Sequence, residues 1–235
     1  MTKAHTDGYA TASAIVASLA LSTIAIAVMG RGIAALKLSQ RELARAQLEE
    51  QLESAAAEAV LAIVQSKSAG PYSWTIQGGA ASGIHVDAEP EWRKLSPDAA
   101  ASVSEADLQL LGAAAPQTVR AQLTRTNPAQ PPNPWRIADA DSSPRWRRCG
   151  PSNVSTFGAA AKLLPAPPEV PLANGQNFRL GEVWRLVLRS PTGWADERFV
   201  RFTGAAPNLV AVIDRRLERD PTGGVLCPSI AKAQP

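Results

Sequence analysis

Aromatic residues make up only 5% of the 235-residue chain, and much of its 45% hydrophobic share is alanine, so the core it can build is modest. Histidine is scarcer still. His5 lies in the first few residues, which leaves His85 as the one imidazole for the rest of the chain; no zinc-type cysteine/histidine spacing occurs, and a histidine-dependent triad would have to use His85 in an expected strand, with no serine or cysteine near it in sequence to suggest activation. No P-loop, dinucleotide-binding glycine fingerprint or G-x-S-x-G elbow occurs, so the reading is that the chain is not an enzyme. Nineteen prolines and sixteen glycines fall almost entirely beyond position 69, where helices and strands must be short and often interrupted.

Charge is absent from Tyr9 to Met29. Ile15, Val16, Leu19, Leu21, Ile24, Ile26, Val28 and Met29 lie among alanines there, and about 20 residues of helix match a hydrocarbon core of ~30 Å. Thr11, Ser13, Ser18, Ser22 and Thr23 dilute the run, but each can bond back to a preceding carbonyl. From Arg31 to about Gln65 there is no proline and one glycine, Gly32, among strong helix formers, so the helix is expected to continue. Leu36, Leu43, Leu48, Leu52, Ala55, Ala59 and Ile63 form an apolar stripe, with Arg41, Glu42, Arg45, Glu49, Glu50 and Glu53 on other faces.

The basic excess is small, net +3, and the basic residues are scattered. Arg145-Trp-Arg-Arg148 is the densest cluster and reads as a solvated loop rather than a nucleic-acid grip, so no nucleic-acid partner is expected. Cys149 and Cys227 are the two cysteines, and they are either joined as a disulfide or both buried as thiols.

After Ser68-Ala-Gly-Pro71 the composition changes, and the expected domain covers residues 70–235. Tyr72-Ser-Trp-Thr-Ile-Gln77 and Ile84-His-Val86 suggest a hairpin. Ser96-Pro97-Asp98, Ser104 to Gly112 and Pro116 to Leu123 suggest three short helices, and the Gly112–Pro116 turn carries no basic residue for a DNA backbone. Residues 126–177 read as a long loop anchored by Trp135, Trp146 and Phe157. Asp139 and Asp141 are the only metal candidates, for calcium, and lack a clear third acidic ligand. Glu182 to Arg189 alternates as a strand, Ser190 to Trp194 turns it, and Glu197 to Thr203 returns it. Leu209 to Ile213 is a third run, ended by the charged Asp214, Arg215 and Arg216. The fold class expected is α+β, a long helix on a small antiparallel sheet with inserted short helices.

A short polar leader, Gly8, and then Tyr9 opening an uncharged run that passes into an amphipathic helix: this pattern resembles the leader and stem of type IV pilins and type II secretion pseudopilins. The resemblance implies a leader over residues 1–8, a stem helix over 9–66 with 9–29 in the membrane, prepilin peptidase cleavage between Gly8 and Tyr9, and methylation of the new N-terminus. Most members carry a glutamate at the fifth mature position, where this chain has Ser13, and in this it is similar to the K-type minor pseudopilin at a filament tip. The partners so implied are other pseudopilins or minor pilins, the peptidase and inner-membrane lipid. The implied location is the bacterial inner membrane, N-terminus cytoplasmic and distal domain periplasmic. Arg31, Lys37, Arg41 and Arg45 follow the span and only Lys3 precedes it, a balance that by itself favours the opposite orientation. The alternatives are a signal peptide cut after Ala25-Ile-Ala27 and a single-pass anchored periplasmic binding or scaffold protein without a filament role.

Overall fold

A computed structural model describes residues 6–66, 70–124, 132–160, 180–204, 209–219 and 227, with side chains in α1 described from residue 13 onward. The fold is α+β: a long N-terminal helix, a five-stranded antiparallel sheet and short helices. The chain divides into two compact units, Met1–Glu50 and Gln51–Pro235.

Helix α1 runs unbroken over Thr6–Gln65, 60 residues or about 90 Å of helix. In the first unit its large apolar side chains from Ile15 to Leu38 are 55–70% exposed. Ser22 and Thr23 donate their hydroxyls to the carbonyls of Ser18 and Ala20, both at 2.8 Å, so these polar groups are satisfied within the helix itself. Arg45 and Glu49 pair one turn apart at 3.0 Å.

In the second unit the last turns of α1 bury Leu52, Ala55, Ala56, Ala59, Val60 and Ile63, at the spacing of one helix face. Burial of this kind contributes about 1.5 to 3 kcal/mol for each of Leu52, Val60 and Ile63.

The sheet is ordered β1-β2-β3-β4-β5, with β1 Tyr72–Thr75, β2 His85–Pro90, β3 Val183–Arg189, β4 Trp194–Phe202 and β5 Val210–Arg219. Every neighbouring pair is antiparallel. The two hairpins expected from the sequence are present, although β1 stops at Thr75 and β2 extends to Pro90. Gly193, at φ 80°, supplies the left-handed residue of the β3–β4 turn. Strand β5 does not end at Asp214 but continues through five more residues. Its charged side chains find partners on both faces of the sheet, so charge does not stop the pairing there.

Between β2 and β3 lie α2 Pro97–Ala101, α3 Glu105–Leu110, α4 Pro116–Thr124 and α5 Pro144–Asn153. Ser96, Ser104 and Ser143 cap α2, α3 and α5, their hydroxyls accepting backbone N–H bonds. Leu95, Leu108, Leu111, Val119, Leu123, Ile137, Trp146 and Val154 share one core. The loop expectation for Arg145-Trp-Arg-Arg148 is corrected here, for the tetrapeptide is the start of α5. Trp146 is wholly buried and donates its indole N–H to the Ile137 carbonyl at 2.7 Å, while the arginines flank it outside.

Candidate functional site

Strand β3 is buried on both faces because alternate residues serve two layers. One face carries Leu186 of β3, Arg198 of β4 and Arg215 of β5 in a single cross-strand row. That face meets α1. Glu53, Ala56, Ala57 and Val60 of the helix, together with Leu186, Arg198, Val200, Leu209, Val210 and Val212, line a groove of about 300 Å³.

Four charged residues hold the helix to this face. Arg198 Nη1 donates to Glu53 Oε2 at 2.7 Å, and Arg215 Nη1 donates to Glu53 Oε1 at 2.8 Å. Both guanidinium groups also reach Asp196, which has no exposed surface: Arg198 through Nε at 3.0 Å and Nη2 at 2.5 Å, Arg215 through Nε at 2.9 Å and Nη2 at 2.8 Å. Burial alone would lower the basicity of Arg198, but its bonds to Asp196 and Glu53 outweigh that and raise it. One buried carboxylate between two arginines, with a half-exposed glutamate closing the ring, fixes the azimuth of the helix as apolar contact alone cannot. In the sequence Glu53 is one of the charged residues off the apolar stripe and Arg215 one of the charges expected to end a strand, while Asp196 and Arg198 carry no functional expectation; the register of β4 and β5 brings them together.

On the opposite face Arg185 is buried between Glu197 at 2.5 Å and Glu89 at 3.4 Å, and Lys94 bridges Glu89 at 2.7 Å and Glu91 at 2.5 Å. Burial pushes the Glu89 carboxyl up, but the Lys94 and Arg185 charges prevail and hold it below the usual range. Trp135 packs edge-on against Phe199 at 5.1 Å, and Arg216 lies over the Trp135 ring at 4.2 Å.

The residues singled out in the sequence are not gathered into one site. Gly8 and Tyr9 lie in the helical backbone of α1, with side chains outside the described ones; residues 1–5 of the expected leader are also outside. Ser13 is an exposed helical residue on the same run. Cys149, in α5, is joined to Cys227, closing a separation of 78 residues.

Asp139 and Asp141 have separate roles. Asp139 pairs with Arg216 at 3.2 Å. Asp141 accepts the N–H groups of Ala114 and Ala115 on one oxygen, at 2.9 and 3.0 Å, and that of Ser143 on the other at 2.7 Å. Among the described residues no three His, Cys, Asp or Glu side chains come together as a metal site.

Strand pairing brings one constellation together that spacing had concealed. Ser73 on β1 lies 3.2 Å from His85 Nε2 and donates to Asp87 Oδ1 at 2.7 Å, while Thr75 lies 3.1 Å from His85 Nδ1. Serine and aspartate thus sit at the same ring nitrogen, whereas a relay needs the carboxylate on the far one. The cluster ties the β1 edge to β2. Burial would raise the Asp87 carboxyl, but the Ser73 hydrogen bond and the Arg189 guanidinium hold it below its ordinary value.

None of the six tryptophans is exposed: Trp135, Trp146 and Trp184 are buried, and Trp74, Trp92 and Trp194 are half-buried. One helix among the described residues, from Ser13, is long and apolar enough to cross a membrane, with a mean hydropathy of 2.0 over its best window. Comparison with known proteins gives no matching family model, no matching curated protein and no matching solved structure.

Proposed function

We propose that the chain is a minor pseudopilin-like structural subunit of a type II secretion or type IV pilus-like filament, held in the inner membrane until it assembles. One observation carries this reading. A single unbroken helix, Thr6–Gln65, carries an uncharged apolar run from Tyr9 to Met29, exposed from residue 13 onward, and ends as an amphipathic run seated on an antiparallel sheet. An isolated anchor needs only the first of these parts, and a soluble domain only the second.

The apolar run first lies in lipid and then, on assembly, packs among equivalent helices of partner subunits. Ala14, Ser18 and Ser22 recur one turn apart and permit close helix approach. Removal of Met1 to Gly8 by a prepilin peptidase makes Tyr9 the first residue. The role is mechanical, with no catalytic step and no cofactor. An anchored binding module would recognise its partner through exposed aromatic side chains, whereas all six tryptophans are buried or half-buried, which favours the filament role.

Co-expression with a prepilin peptidase tests the reading. The wild-type chain is expected to lose its first eight residues, and Gly8→Ala is expected to remain full-length. Equal resistance of both to the peptidase would exclude it.

A further inference from the structure

Four cations follow the uncharged run of α1: Arg31, Lys37, Arg41 and Arg45, with one carboxylate, Glu42, among them. Arg45 is taken by Glu49 at 3.0 Å. Arg31 and Lys37, nearest the run, are exposed, and neither has a carboxylate within ion-pair distance among the described residues. Glu42 lies about 16 Å along the helix axis from Arg31 and, although nearer Lys37, points about 140° around the helix from it.

Helix rise sets their depth. With Tyr9 to Met29 in a hydrocarbon core of about 30 Å, the headgroup layer adds about 5 to 7 Å on each side. Arg31 stands about 3 Å past Met29, inside that layer. Lys37 stands about 12 Å past it, but a helical side chain leans toward the N-terminus and covers the preceding turn, which brings the ammonium about 5 Å back. It therefore reaches the outer limit of the same layer. Ile33, Leu36 and Leu38, 55–65% exposed, are interspersed with these cations, the mixture that an apolar–polar boundary accepts.

Arg31 is also uncrowded. Its neighbours on the helix surface are Ala27, Val28, Gly30, Gly32, Ala34 and Ala35, and a Cβ at Gly30 or Gly32 would meet nothing within 4 Å. Packing among the described residues does not require those glycines. They leave the arginine stem free to turn along the helix and the space beside it open to a bulky headgroup.

We propose that Arg31 and Lys37 bind the phosphates of anionic phospholipids in the leaflet from which α1 emerges, Arg31 at the base of the headgroup layer and Lys37 at its outer limit. The planar fork of arginine meets phosphate through two parallel bonds, and the lysine ammonium meets it as a point charge. A zwitterionic headgroup offsets its phosphate with a cation of its own, so net-negative headgroups are preferred. The two cations lie about 120° apart around the helix and so take two lipids rather than one. The inference rests on the reading that α1 spans a membrane, and not on filament assembly or on the side at which the distal unit lies.

The test uses the full chain in neutral detergent micelles, titrated with phosphatidylglycerol or phosphatidylcholine of the same acyl chains, with bound lipid counted by native mass spectrometry. A cation near an anionic headgroup contributes roughly fivefold in affinity. Phosphatidylglycerol is therefore expected to half-saturate at a concentration at least tenfold below that of phosphatidylcholine, and R31Q/K37Q to bring the two within about twofold. R147Q/R201Q removes the same charge from the distal unit and is expected to keep the wild-type preference. Thermal melts of both variants should match the wild type, since all four residues are exposed. Glycerophosphoglycerol, the headgroup without its acyl chains, is expected not to bind. Equal half-saturation by the two lipids in the wild type, an equal loss of preference in R147Q/R201Q, or binding of glycerophosphoglycerol as tight as that of the lipid would overturn the proposal. Alkaline carbonate extraction of native membranes separates this from the reading beneath it: release of the wild-type chain overturns both, whereas retention without a lipid preference overturns the proposal alone.

Discussion

Arg198 of β4 donates a 2.7 Å hydrogen bond to Glu53 of α1, across 145 residues of sequence, and so ties the last turns of the long helix to the middle of the sheet. The two ends of that bond differ in setting. The Arg198 side chain is 4% exposed and the Glu53 side chain 57%.

That difference sets the first prediction. Arg198→Ala leaves Asp196 buried with one partner in place of two and is expected to destabilise the distal unit by about 3 to 5 kcal/mol, the cost of breaking a buried pair. Glu53→Gln removes a solvent-screened charge and is expected to cost less than about 1 kcal/mol. Urea unfolding followed by tryptophan fluorescence reads both, and equal effects would show that the buried Asp196 does not organise the network.

The disulfide supplies the second. Closing a separation of 78 residues stabilises the fold by about 4 to 5 kcal/mol on the chain-entropy estimate. Replacing both Cys149 and Cys227 by serine is expected to lower the melting temperature markedly, and a reductant to do the same to the wild type. An unchanged melt under reducing conditions would mean that α5 is held by Trp146 alone.

Acid sensitivity follows from Asp87 and Glu89, whose carboxyls are held below their ordinary values of 3.8 and 4.5. The unfolded chain takes up protons at those ordinary values and the folded chain only at lower pH. The stability they contribute is therefore complete above the ordinary carboxylate range, and it drains as pH falls through and below it toward the lowered folded values. Asp87→Asn is expected to flatten the acid limb of a plot of stability against pH while lowering stability at neutral pH. A parallel shift of the whole curve would contradict the assignment.

Much of this architecture was legible in the sequence. The uncharged run, the absence of proline to Gln65 and the Leu52, Ala55, Ala59, Ile63 spacing specified the helix and its buried stripe, because helix periodicity is local. The short helices α2, α3 and α4 and the β3–β4 hairpin were also local patterns, with their capping or turn residues in view. What escaped depended on pairing across long separations. Asp214, Arg215 and Arg216 read as the end of a strand because three successive charges look solvated, yet Arg215 turns to Asp196 and Arg216 to Asp139 and Trp135. Arg145-Trp-Arg-Arg148 read as a loop because its proline- and serine-rich flanks hid a capped helix whose single tryptophan is its buried face. Ser73 and His85, twelve residues apart, met only through the register of β1 and β2.

Orientation is open to direct measurement. Gln77 is exposed beyond the β1 strand, and the two native cysteines are joined, so Gln77→Cys offers a single reactive thiol. A periplasmic distal unit predicts labelling by a membrane-impermeant maleimide in intact spheroplasts. Labelling only after lysis would place the unit in the cytoplasm, the side that Arg31, Lys37, Arg41 and Arg45 favour by charge alone.

The central claim is that α1 is a processed filament stem, and the mass of the mature N-terminal peptide tests it most directly. Mass spectrometry of the protein purified from its native membrane should find Tyr9 as the first residue, carrying one added methyl group. An N-terminus at Met1 would instead mark an unprocessed anchor, and one at Val28 a cleaved secretory signal; either result would contradict the account.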